Sequence, residues 1–188
     1  MIKLAIIIHL AASLANPGAA VREATLAARE ISTAAGIELQ ISEAITEDLP
    51  PLDLWQGGPV SPTALYLIQE IATLPPEKRI HLHLIPPDVT FYGEEVPAGA
   101  PVMSGILTGR PGALAIVLRR HPQPRRITRY AIEHELLHVL GATHQPGRNV
   151  MTKGNFAYIS PRFPKLKILR KTAAEVRRTL KVFIKEEL

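Results

Sequence analysis

His134-Glu135-Leu136-Leu137-His138-Val139-Leu140-Gly141-Ala142-Thr143-His144 is the stretch on which the reading of this chain turns. Apolar residues at Ala131, Ile132, Leu136, Leu137 and Leu140 give it a helical period that starts near Ile127. Histidines four apart on a helix share one face, with roughly 5–6 Å between their Cβ atoms. That spacing lets two imidazole nitrogens reach a single zinc ion at roughly 2.0–2.1 Å each. Glu135, one step past His134, is rotated by about 100° and can address a water beside the metal without ligating it. A continued helix would carry His144 away from the pair. Gly141 supplies the reversal, because glycine enters the left-handed conformation at little cost and commonly ends helices there. His144 then joins the other two. Three neutral histidines around one Zn2+ ion keep a position open, as in a catalytic rather than a structural site.

Extended by Asn149-Val150-Met151, the segment resembles the signature of the metzincin clan of zinc peptidases, in which a methionine-bearing turn follows the third histidine. Within that clan the chain is most similar to the archaemetzincins. The resemblance implies an α/β fold with a sheet lobe above, an active-site helix beneath it, and a small C-terminal lobe ending in a helix. It implies one catalytic domain over residues 1–188, with 1–144 as the upper lobe and active-site helix. Residues 145–188 would then hold the Met-turn, built on Met151 under the metal, and the final helix. The implied activity is peptide-bond hydrolysis on a peptide or protein substrate. Glu135 is the implied general base, and His134, His138 and His144 are the implied ligands.

Gln145 stands where archaemetzincins carry a cysteine, and the chain has no cysteine at all. A second, thiolate-bound zinc site of their kind is therefore excluded, as is latency through a propeptide thiol. A tyrosine beyond the Met-turn stabilises the oxyanion in some relatives, and Tyr158 and Tyr130 are the candidates here. Glu175 is the alternative third ligand, since another zinc-peptidase clan completes its motif with a downstream glutamate.

Upstream, Lys3 to Leu10 reads as a buried β-branched strand. Asn16-Pro17 then starts a helix that Gly36 ends, with asparagine as N-cap and proline in the first turn. Ile37, Leu39 and Ile41 alternate as a second strand, so a parallel crossover is expected. Proline-rich loop around Trp55 leads to a helix from Ser61 to Leu74. Arg79 to Ile85 alternates as a third strand whose His81 and His83 form either a second metal site or, more simply, its polar, half-buried face. Val102 to Leu107 and Ala113 to Arg119 complete a mixed, mainly parallel sheet of about five strands with an antiparallel edge. Val102 to Leu107 is the expected rim of the cleft, able to pair with an extended peptide. A break at His121 to Arg126 precedes the motif helix, and an amphipathic helix closes the chain from Thr172 to Glu187.

The 188 residues are 46% hydrophobic, enough for a core without staples, and the absence of cysteine removes disulfides and thiol nucleophiles. The net charge of +5 gathers toward the C-terminus, but aromatics make up only 5% and do not interleave with the basic residues. That pattern describes a solvated basic face and does not point to nucleic acid or to a membrane partner. No segment is long and apolar enough to span a bilayer, which fits a cytoplasmic protein. Alternatively, residues 1–15 read as a short signal peptide, which would make it secreted. The competing functional reading is a zinc-stabilised module that binds peptide or nucleic acid without turnover.

Overall fold

The computed structural model describes residues 1–12, 14, 16–48, 79–85, 103–104, 113–117, 124–152 and 166–186. Its strands are β1 (Lys3–Ala11), β2 (Glu38–Glu47), β3 (Arg79–Ile85), β4 (Met103–Ser104) and β5 (Ala113–Val117). Its helices are α1 (Pro17–Ala35), α2 (Pro124–Val139) and α3 (Arg170–Glu186). Strands β2, β1 and β3 lie side by side in parallel. β5 continues the parallel run beyond β3, and the two-residue β4 pairs antiparallel with it at the edge. The mixed α/β class expected from the sequence is the class observed.

Alternation decides which side of the sheet forms the core. Ile6, Ile8 and Leu10 of β1, with Ile80, Leu82 and Leu84 of β3, share one apolar cluster with α1 and α2. Small residues on α1 (Ala20, Ala24, Ala27, Ala28) let that helix approach closely, and α1 and α2 pack on each other. Deleting a large side chain from this layer, such as fully buried Ile6 or Leu82, would cost roughly 2–5 kcal/mol. Ends are set locally. The Asn16 side chain accepts the Ala19 N–H at 3.0 Å, and Gly36 ends α1 at a φ of 66°.

Three expectations need correction. The motif helix begins at Pro124, inside the expected break, because proline is at home in a first turn whose N–H groups lack partners. The last helix begins at Arg170, two residues early. His81 and His83 do not form a half-exposed face: they are 9% and 1% exposed. The expected helix at 61–74, Trp55, Tyr158 and most of the rim candidate lie outside the described residues. Among the described residues no helix is long and apolar enough to cross a membrane. Lys167, Arg170, Lys171, Arg178 and Lys181 are solvent-exposed, as expected of a solvated basic face.

Candidate metal centre

α2 carries His134 and His138 one turn apart, and its end is a complete Schellman reversal. Ala142 N–H donates to Leu137 C=O at 2.8 Å, and Gly141 N–H donates to His138 C=O at 2.9 Å. Gly141 has a φ of 89°, and a Cβ there would sit 2.6 Å from Thr179 Cγ2 on α3. Glycine is required twice over, for the backbone turn and for the approach of the last helix. The reversal returns His144 to its neighbours. His138 Nε2 lies 3.1 Å from His134 Nε2 and 3.1 Å from His144 Nε2.

The other ring nitrogens explain what these contacts are. His134 Nδ1 donates to the Val150 carbonyl at 2.7 Å, and His138 Nδ1 donates to the Ala142 carbonyl at 2.9 Å. A carbonyl only accepts, so both rings carry their proton on Nδ1 and turn a lone pair on Nε2 toward the centre. Lone pairs facing one another repel unless a cation lies between them. Burial, moreover, pushes His134 down to about 4, partly offset by the Val150 hydrogen bond, and it also lowers His138. Both therefore stay neutral, as ligation requires, and the donor chemistry fits a zinc-class ion. His134 is buried and His144 exposed, so the cluster opens to solvent on the His144 side.

Glu135 is 5% exposed, and burial pushes its carboxyl up to about 7. Met151 is fully buried in the turn after the reversal, and its carbonyl accepts the Gln145 N–H at 2.9 Å. Asn149 organises that turn: its Oδ1 accepts the Met151 N–H at 2.8 Å and its Nδ2 donates to the Pro146 carbonyl at 3.0 Å. The turn in turn aims the Val150 carbonyl at His134.

The histidine cluster does not include Glu175. Its carboxylate instead accepts the Thr143 N–H at 3.1 Å and the Gln145 Nε2 donor at 3.1 Å, holding the chain on both sides of His144. Those hydrogen bonds, the Thr143 backbone first, keep its pKa below the usual carboxylate value. Tyr130 is fully buried, and its hydroxyl accepts the Leu166 N–H at 3.0 Å, so it ties α2 to the segment before α3. Sequence reasoning missed Asn149, and for Glu175 it weighed only a ligand role, with His144 the better placed, and did not see the bracing one. The Asn-Val-Met-Thr order held a turn signal for the former, since asparagine side chains readily bond backbone two residues on.

A second group of side chains that could hold a metal ion, His9, Glu47 and His83, gathers on the strands. Burial pushes His83 down to about 3, with the neighbouring His9 and His81 acting in the same direction.

The arrangement is a histidine triad, open to solvent on one edge, at the end of a helix that packs under a mixed sheet. Among solved structures the chain is similar to the archaemetzincin of Methanopyrus kandleri, with a TM-score of 0.57 at 17% identity over 95% of this chain and 96% of that one. It is also similar to metalloproteinase-II of Bacteroides fragilis, with a TM-score of 0.52 at 14% identity over 95% of this chain. It spans 53% of that second protein. These likenesses show the fold, an archaemetzincin-type, metzincin-like one. No family model matches the sequence, and no curated protein matches it.

Proposed function

We propose that the chain is a zinc-dependent peptidase in which His134, His138 and His144 hold one Zn2+ ion and Glu135 is the general base. The observation that carries this reading is the convergence of the three Nε2 atoms, two of them fixed as lone-pair donors by carbonyls on their far side. The fold likeness to a metalloproteinase supports it. A zinc ion held there would supply Lewis acidity toward the scissile carbonyl and the attacking water.

Glu135 takes the proton of the attacking water and passes it to the leaving amine. Burial raises its carboxyl to about 7, so both protonation states are within reach near neutral pH. Gly141 acts as the helix-terminating turn that delivers His144, and Met151 takes the part of the Met-turn residue. An extended peptide would lie along the edge carrying β4, adding a strand to the sheet. Residues 1–188 are taken as one catalytic domain, with 145–188 as the small C-terminal lobe that carries the Met-turn and the final helix.

Glu135→Gln tests the reading. The variant should keep its zinc by elemental analysis and lose about a hundred- to ten-thousand-fold in cleavage of an unfolded protein, followed by mass spectrometry. Cleavage at the wild-type rate would remove Glu135 from the mechanism. A wild-type protein that holds zinc but turns over no member of a broad peptide digest would be a binding module instead.

A further inference from the structure

The sheet face away from α2 holds a cluster that the peptidase reading does not use. Ile80, Leu82 and Leu84 face the core, so the alternate residues His81 and His83 point the other way, as does His9, which lies opposite His83 in the β1–β3 ladder. Glu47 reaches the same face through a bulge. Before it, Leu39 and Ile41 pair with core-facing Leu4 and Ile6. After it, the phase shifts by one residue, so Glu43, Ile45 and Glu47 pair with Ile7, His9 and Ala11. Ser42 is the extra residue, and its hydroxyl donates to the Ile6 carbonyl at 3.2 Å. Without that shift the carboxylate would point into the apolar core.

The geometry at this face is that of a ligand set. His9 Nδ1 contacts Glu47 Oε1, and His9 Nε2 lies 2.9 Å from His81 Nδ1. His83 stacks on His9, with centroids 4.2 Å apart and planes 13° from parallel. Its Nδ1 is 3.9 Å from Glu47 Oε2, too far for a hydrogen bond. Two donors bound at roughly 2.1 Å to one tetrahedral ion are about 3.4 Å apart, so a small side-chain shift would close the set. A hydrogen-bonded chain from Glu47 through His9 to His81 would satisfy those three without an ion. It leaves out His83, a side chain 1% exposed whose Nε2 has no hydrogen-bond partner among the described residues. Ligation through Nδ1 would tie this ring to the Glu47 carboxylate that it faces from too far away for a hydrogen bond.

We propose that His9, Glu47 and His83 form a second divalent-cation site, with His81 orienting His9, that clamps the ends of β1, β2 and β3 on the face opposite the α2 histidines. Two imidazoles and a carboxylate suit a zinc-class ion. His81 would accept the Nε2 proton of His9 and so direct its Nδ1 lone pair at the metal, the usual part of an outer partner. Because the ion binds the folded chain alone, it stabilises the three-strand end. This site stands independently of the peptidase reading.

Full-length protein stripped with chelator and titrated with zinc chloride provides the test. A His134→Ala/His138→Ala variant, which lacks the α2 ligands, should still take up one equivalent of zinc and melt at a higher temperature with it. Adding Glu47→Gln, an isosteric change, should abolish both the uptake and the shift. His83→Asn provides the same readout should the first variant fold poorly by circular dichroism. Cobalt uptake, followed by its visible bands, reports the same site directly. If the α2 variant binds no zinc or cobalt, or if Glu47→Gln and His83→Asn leave the uptake unchanged, the cluster is a hydrogen-bonded chain and the proposal fails.

Discussion

The two histidine clusters are built in opposite ways. His134, His138 and His144 come from one contiguous segment, and the backbone of that segment supplies the carbonyls that set two of the three rings. His9, Glu47 and His83 come from three strands, with His9 and Glu47 38 residues apart, and they are set by sheet register and by ring-to-ring contact. The first cluster is thus as robust as one helix end. The second is as robust as the pairing of β1 with both its neighbours. A change that disturbs one should leave the other standing, which makes the comparison testable.

The largest effect is expected at Gly141. Gly36 and Gly141 both end helices with positive φ, yet among the described residues a Cβ at Gly36 meets nothing within 4 Å, whereas one at Gly141 runs into Thr179. Gly36→Ala should therefore cost about 1–2 kcal/mol, the left-handed penalty alone. Gly141→Ala adds a clash with α3 and displaces both the Ala142 carbonyl and His144. Its cost should exceed that of Gly36→Ala by on the order of 2 kcal/mol, with loss of the zinc held by α2. Denaturant melts and zinc analysis of the two variants check this. Equal stability and equal zinc would mean that α3 yields easily and the close approach is unimportant.

The same contrast explains what could be read from the residues alone. The convergence of His134, His138 and His144 follows from local geometry, since a four-residue spacing, a glycine and a third histidine are all visible within one helix end and its reversal. Both caps of α1 were legible for the same reason. Glu47 was not. Its face depends on a bulge at Ser42, and simple alternation from Leu39 and Ile41 would assign it to the core. His9 sits between apolar neighbours in a strand whose burial was expected, and nothing nearby marks it as a partner of residues 38 and 72 positions away. Glu175 illustrates a third case. A carboxylate downstream of the motif was visible, but whether it ligates or braces depends on where α3 docks.

That bracing gives the next effect. Glu175→Ala removes the acceptor for Thr143 N–H and for Gln145 Nε2, freeing the chain on both sides of His144. Zinc affinity at the α2 site should fall about 10- to 100-fold, as for other outer partners of metal ligands, while the strand site is unaffected. Glu175→Gln keeps one acceptor oxygen and should lie between Ala and wild type. Competition with a calibrated chelator measures it. Complete loss of the ion in both variants would instead make Glu175 a direct ligand.

The last effect is the most diagnostic, and it concerns the metal-free protein in mild acid. His134 has a folded pKa of about 4 against 6.5 in the unfolded chain, so its contribution to stability is present above 6.5 and lost as the pH falls toward 4. Glu135 runs the other way. Its folded pKa of about 7 lies above an unfolded 4.5, so its contribution is present below 4.5 and lost as the pH rises toward 7. Between these limits folding moves a proton from an imidazolium to a carboxylate within one pair of neighbours, and their two slopes nearly cancel. His83, held down to about 3, adds an unopposed slope with the sign of His134. Glu135→Gln removes the opposing partner. Stability of the metal-free variant should then fall on acidification from pH 6.5 to 4.5 more steeply than wild type, by about 1.4 kcal/mol per pH unit for the one unmasked proton. Denaturant melts across that range measure the slopes. Parallel slopes in the two proteins would show that Glu135 titrates in the folded chain as it does in water, and the carboxyl beside the α2 histidines would lose its claim to be tuned by burial for proton transfer.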